Sequence, residues 1–142
     1  MLMMLSVWVV SAQEHPKVEE MHARKWEFIV ENAKLTPQQA AKVEPIFMEY
    51  EVAVWKLMEQ NRDSFKKVFA EKKSQGNPNY EELNDRIINS EMQKAQLLKN
   101  YYAKLKKVLP AEIIHKYILT ERSFRKELIK DWQGKKRARQ QQ

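Results

Sequence analysis

Residues 35–39 read Leu35-Thr36-Pro37-Gln38-Gln39, and a long amphipathic run from Ala40 to Lys73 follows directly. Thr36 carries the side-chain oxygen an N-cap needs. Pro37 takes the first helical position, where a missing N–H costs nothing, and Gln39 stands three residues after the cap, within reach of the cap's own amide. Leu35 before the cap and Ala40 or Ala41 inside it supply the two sides of a hydrophobic staple, which sets the angle of the incoming segment. The stretch therefore predicts a long helix held at a corner against another element.

Downstream of the corner, Val43, Ile46, Phe47, Tyr50, Val54, Leu57, Met58, Asn61, Phe65, Val68 and Phe69 recur in steps of three and four. The spacing predicts a helix over residues 37–73, a rod of roughly 50 Å, longer than a compact bundle of this mass needs. Pro45 should kink it or make it restart. Ser74 to Tyr80 is the clearest break, with Gly76 as a left-handed helix end and Asn77-Pro78-Asn79 as a turn. So short a connection predicts that a third helix returns antiparallel as a hairpin. Glu81 and Glu82 suit its first turn. Leu83, Ile87, Ile88, Met92, Ala95, Leu98, Tyr102, Leu105 and Leu109 read as its inward side. Pro110 closes it and opens a fourth helix carrying Ile113, Ile114, Tyr117, Ile118, Phe124, Leu128 and Trp132, with a possible irregular point at Leu119-Thr120-Glu121.

Upstream, Met21, Lys25, Phe28 and Ile29, flanked by Trp26, Val30 and Ala33, repeat at helical spacing from Glu19 and predict a first helix of about four turns after a frayed lead-in. Trp26, Phe28, Ile29 and Val30 present apolar surface too broad for a single neighbour, which points to a second helix or a second subunit. The first dozen residues, MLMMLSVWVVSA, are apolar and end in small residues before Gln13. Residues 1–12 therefore read as the remnant of a signal peptide without its positive start, and are too short to span a bilayer. An apolar helix start and a membrane anchor are the other readings. Residues 13–134 make one domain and 135–142 a basic flexible tail, in an exported chain.

The 142 residues include two Gly, five Pro and no Cys, a composition that favours helix nearly throughout and excludes disulfides, thiolate metal sites and thiol nucleophiles. From Arg122 to the end, eight Lys or Arg face two acids, a net of +6 out of the formal +7, so the body is close to neutral. No Gly-rich phosphate loop, no His-bearing metalloprotease helix motif and no nucleophile with a nearby base is present, so no catalytic residue and no cofactor are expected. His15, His22 and His115 fall short of the three or four convergent ligands of a zinc site. No metal site is expected of them, at most weak zinc binding, and they read as surface residues. Glu49 and Glu51 read as solvated acids.

Leu35-Thr36-Pro37-Gln38-Gln39 resembles the LTxxQ motif of the Spy and CpxP family of periplasmic stress proteins. Lys25-Trp26-Glu27-Phe28-Ile29 and Ile46-Phe47-Met48-Glu49-Tyr50 look like the Bacteroidetes members described as sensors of extracytoplasmic-function sigma factors. Leu35, Thr36 and Gln39 carry the match. The family's second copy of the motif falls at Leu109-Pro110-Ala111-Glu112-Ile113, where only the leucine remains. The resemblance implies an all-α, elongated four-helix protein built on a long bent antiparallel hairpin and forming a curved homodimer. Its concave side would hold unfolded or partly folded proteins without ATP. Some members instead inhibit an envelope-stress signalling partner.

On this expectation Trp26, Phe28, Met48, Trp55 and Met58 are candidate dimer or client contacts, because Met repacks around irregular ligands and aromatics bury much area per residue. The same residues are equally well suited to an internal core. The basic run Arg122, Arg125, Lys126, Lys130, Lys135, Lys136, Arg137 and Arg139 can neutralise phosphates. In an exported chain nucleic acid is not expected, which leaves acidic clients, weak contact with an anionic membrane surface, or solvation alone.

Overall fold

The computed structural model describes residues 16–73, 76 and 78–142. Four helices follow one another, α1 (Pro16–Asn32), α2 (Pro37–Lys73), α3 (Tyr80–Leu105) and α4 (Ala111–Gln140), and assemble into an elongated all-α bundle. The apolar run 1–12, with the export signal read from it, lies outside the described residues.

The corner between α1 and α2 follows from its side chains. Lys34 adopts a left-handed conformation, φ 53°, and the Leu35 amide donates back to the Val30 carbonyl at 3.2 Å, the six-to-one closure that ends many helices. Thr36 N–H then donates to Gln39 Oε1 at 3.0 Å and Gln39 N–H to Thr36 Oγ1 at 3.1 Å, so the reciprocal cap forms as the sequence predicts. Leu35 is buried and joins the same core as Val30 and Ala40.

Several boundaries differ from those expected. α1 begins at Pro16 rather than near Glu19, because proline is well suited to a helix's first turn. α2 is continuous through Pro45. Ala41 and Pro45 are both exposed, which leaves the carbonyl that proline cannot pair on the solvent side. α3 stops at Leu105, four residues early, and the Val108 and Leu109 amides fold back on the Leu105 carbonyl at 3.1 and 2.9 Å. Leu109 precedes a proline and is disfavoured in helical conformation. α4 has no irregularity at Leu119-Thr120-Glu121, where the Thr120 hydroxyl donates to the Lys116 carbonyl at 2.7 Å. Residues 135–140, expected as a flexible tail, are its last turns, and Arg137 and Arg139 there complement the negative end of the helix dipole.

The core lies where all four helices meet. Ile29, Val43, Phe47, Leu105 and Tyr117 are fully buried in it, with Trp26 against Phe47 at 5.1 Å between ring centroids. Away from it the helices continue as two pairs. α1 and α4 are joined by Phe28 on Phe124, 5.4 Å between centroids, and by Arg24 to Asp131 at 3.1 Å. α2 and α3 are joined by Lys104 to Glu49 at 2.6 Å, Tyr50 stacked on Tyr101 at 4.2 Å, Asn61 to Ser90 at 2.7 Å, and Arg86 to Ser64. Numbers fall on α3 as they rise on α2, so these two run in opposite directions.

Candidate protein-binding face

Before any surface can be presented, the helices must be fixed relative to one another, and a buried polar cluster does this beside the core. Lys25 of α1 sits between two carboxylates, Glu51 of α2 at 2.5 Å and Glu121 of α4 at 3.3 Å. Its ammonium also lies 5.7 Å from the centre of the Phe47 ring, a favourable position for a cation. The His22 imidazole, buried on α1, approaches Glu51 at 3.6 Å. From α3 the Tyr101 hydroxyl donates to Glu121 at 3.2 Å and is itself bonded to the Tyr117 hydroxyl. Tyr101 has one hydrogen to give, so the chain of donors runs from Tyr117 to Tyr101 to Glu121.

Two carboxylates around one ammonium leave excess negative charge. Burial pushes the Glu121 carboxyl above its ordinary range, Lys25 pulls it back down, and Glu51 raises it again. Burial, followed by the Glu121 charge, raises Tyr50, Tyr101 and Tyr117 above the ordinary phenol value. Both buried phenols therefore stay protonated and act as donors. His22 and Glu51, expected as surface groups, are interior members of this cluster. Each looks solvated on its own helix, and only the packing of α1 on α2 and α4 encloses them.

The face that α1 and α4 cover near the core continues uncovered along α2 and α3. On α2, Met58 and Phe65 follow Glu51 in seven-residue steps, about two turns each, so they share the side on which Lys25 holds Glu51. Phe69 lies one turn beyond Phe65. On α3, Leu98 precedes Leu105 by two turns and Ile87 by about five, on the side that Leu105 buries in the core. Because the helices run in opposite directions, both sets point to the same side of the pair. Met58, Phe69, Ile87 and Leu98 are about half exposed, and Ile88, Met92 and Tyr102 beside them on α3 are exposed as well. Trp55, Leu57 and Phe65 are half-buried. On the other side the pair closes over a shallow groove lined by Ile46, Ala53 and Leu97 and bridged by Lys104 and Glu49.

This corrects the inward side expected for α3. Leu83, Ser90, Tyr101 and Leu105 are its buried residues, with Arg86, Lys94 and Leu97 half-buried among them. Ile87, Ile88, Met92, Leu98 and Tyr102 face outward. Among the expected contact residues, Trp26 is 8 % exposed and belongs to the chain's own core. Phe28 is half-buried on Phe124, and Met48 packs against the core. Trp55 and Met58 remain on the uncovered side. Leu35, Thr36 and Gln39 are spent on the corner, and the basic residues from Arg122 to Arg139 are all exposed along α4. Trp132, one of the apolar residues carried by α4, is exposed. Among the described residues no group of three or more His, Asp or Glu is placed to hold a metal ion, and His115 stands exposed by itself. His15 lies outside the described residues.

Comparisons of the chain with protein-family models, with curated proteins and with solved structures each find no match.

Proposed function

We propose that the chain is a non-enzymatic protein-holding factor of the Spy and CpxP type, exported to the periplasm, that transiently binds unfolded or partly folded proteins without ATP. In this reading α2 and α3 form the bent hairpin of a curved homodimer, and their uncovered apolar side meets the second copy and the client. The observation that carries it is the row of half-exposed side chains, Met58, Phe69, Ile87 and Leu98, on a side that α1 and α4 cover only near the core. Covering a half-exposed residue of this size gains about 1 kcal/mol. Four of them offer about 4 kcal/mol before ordering costs, which suits short-lived holding rather than a permanent complex. The capped corner, with Thr36 and Gln39, sets the angle between α1 and α2 and touches no client.

The test is suppression of aggregation for several unrelated unfolding proteins, comparing the wild-type chain with a Met58→Ser, Ile87→Ser, Leu98→Ser variant. Suppression by the wild type across all substrates, lost in the variant at unchanged helicity, is the expected result. Tight stoichiometric binding to one envelope sensor domain with no general suppression would instead make the protein a regulator of that sensor. A wild-type chain that binds neither, with a dimer that hides the whole apolar row, would leave only a structural helical dimer.

A further inference from the structure

Beyond Phe124, α4 has no buried residue, yet it continues for four more turns and carries a side chain that water accommodates poorly. Trp132 is 79 % exposed, and Ile129, Leu119 and Ile118 are exposed on the same helix. At about 100° per residue these four span an arc of about 140°. Arg122, Lys126, Lys130, Lys136 and Arg137 fall in the same arc, widened to about 160°, all exposed and none in an ion pair with another described residue. Glu112 falls in the same angular range but lies more than one turn before Ile118, beside Lys116 at 3.8 Å, and the later acids lie elsewhere on the helix. Asp131 and Glu127 occupy the opposite side by the same count, Asp131 tied to Arg24 at 3.1 Å, and Glu121 is turned in to Lys25. From Ile118 to Arg137 one side of α4 therefore presents apolar and cationic groups together, over about 28 Å of helix, with no carboxylate among them.

We infer that this outward side of α4 is a docking surface for an anionic lipid bilayer, on which the helix lies in the interfacial plane. Such an interface takes both kinds of group at once, with cations at the charged headgroups and tryptophan and isoleucine at the acyl boundary. A polynucleotide would satisfy the five cations and could stack on Trp132, but it offers nothing to Ile118, Leu119 and Ile129. No helix among the described residues is long and apolar enough to cross a membrane, so the contact is one of lying on the surface. The surface is separate from the uncovered side of α2 and α3, and docking there leaves that side free.

Vesicle flotation of the full chain tests this, with vesicles of phosphatidylethanolamine and phosphatidylglycerol against vesicles of phosphatidylcholine alone. Binding to the anionic vesicles, weakened by salt and absent from the neutral ones, is expected. Lys126→Gln, Lys130→Gln, Lys136→Gln together should lower the affinity about 100-fold, about fivefold per charge. The Lys→Arg version of the same triple should bind like the wild type. Trp132→Ala should lower the affinity about tenfold and remove a blue shift of tryptophan fluorescence seen on binding. All positions are exposed, so helicity by circular dichroism should not change. Equal binding to neutral vesicles, an unaffected Gln triple, or tighter Trp132-dependent binding to single-stranded polyuridine than to anionic vesicles would each overturn the inference.

Discussion

Replacing Lys25 with methionine keeps the side-chain stem against Phe47 and removes only the ammonium. Its nitrogen lies 2.5 Å from Glu51 and 3.3 Å from Glu121, and the three side chains are 18, 12 and 18 % exposed. At an effective dielectric of about 20, a pair at 4 Å has a gross attraction of about 4 kcal/mol, and these pairs are closer. Breaking a buried pair by removing one partner costs about 3–5 kcal/mol, because the remaining charge is left uncompensated. Here the loss is limited from within. Glu121 is already pushed toward its neutral form by burial, and Lys25 is what pulls it back, so without the ammonium it takes up a proton. The expected loss is therefore about 3 kcal/mol at pH 7.5, the low end of that range, shrinking at lower pH as Glu121 takes up its proton. Urea unfolding at pH 7.5 and at a lower pH measures it, with an unchanged denaturant slope showing that the unfolding unit is the same. Should Lys25→Met unfold the chain outright, a Lys25→Met, Glu121→Gln double variant restores part of the stability. A loss below about 1 kcal/mol at both pH values would place the cluster with ordinary surface ion pairs and refute the reasoning.

The remaining predictions concern the corner and the proton balance. Thr36→Ala should cost about 1 kcal/mol and Gln39→Ala about half as much, with the double variant costing less than their sum because each side chain serves the other's amide. Lys34→Gly should raise stability by about 0.5–1 kcal/mol, since a left-handed conformation is strained for lysine and not for glycine; thermal unfolding would show a rise of a few degrees. Glu121→Gln should flatten the acid dependence of stability. With its carboxyl raised in the folded state, the native chain holds this proton more tightly than the unfolded chain. Wild-type stability thus gains as pH falls from that raised value to the ordinary carboxylate range of about 4.3. His22, Glu51, Lys25 and the tyrosines are common to both proteins, so the difference between the two pH profiles reports Glu121; parallel profiles would contradict it.

Much of the architecture is legible in local chemistry, and its failures have a common cause. Thr36, Pro37 and Gln39 announce a helix start because a cap is a matter of three adjacent residues, and Asn79 is recognisable for the same reason, its side chain accepting the Glu82 amide at 3.2 Å. α3 is harder. Ile87, Ile88, Met92, Leu98 and Tyr102 repeat at helical spacing as well as the buried set does, while the buried set includes Ser90 and has the half-buried Arg86 and Lys94 beside it. Periodicity alone finds a stripe but not which stripe faces the neighbour, and Ser90 and Arg86 are admitted because Asn61, Ser64 and Glu82 are there to pair with them. The cluster of Lys25, Glu51 and Glu121 is dispersed over three helices, each contributing one ordinary-looking charge. The signal available in advance was Lys25 itself, a charged residue at the helical spacing shared by Met21, Phe28 and Ile29.

The concentration of the core at one end of the bundle has a further consequence for the two long helices that leave it. Near Phe47 and Leu105 an amide can exchange with solvent only if the whole core opens, whereas around Met58 and Ile88 few buried neighbours resist a local opening. The free energy of opening should therefore decline steadily along α2 and α3 with distance from the core, and hydrogen exchange would read it as a gradient rather than a plateau. Whatever settles on the outer stretch would protect those amides most and the core amides least. Occupancy would thus be visible as a steepness that disappears, with no change in the fold.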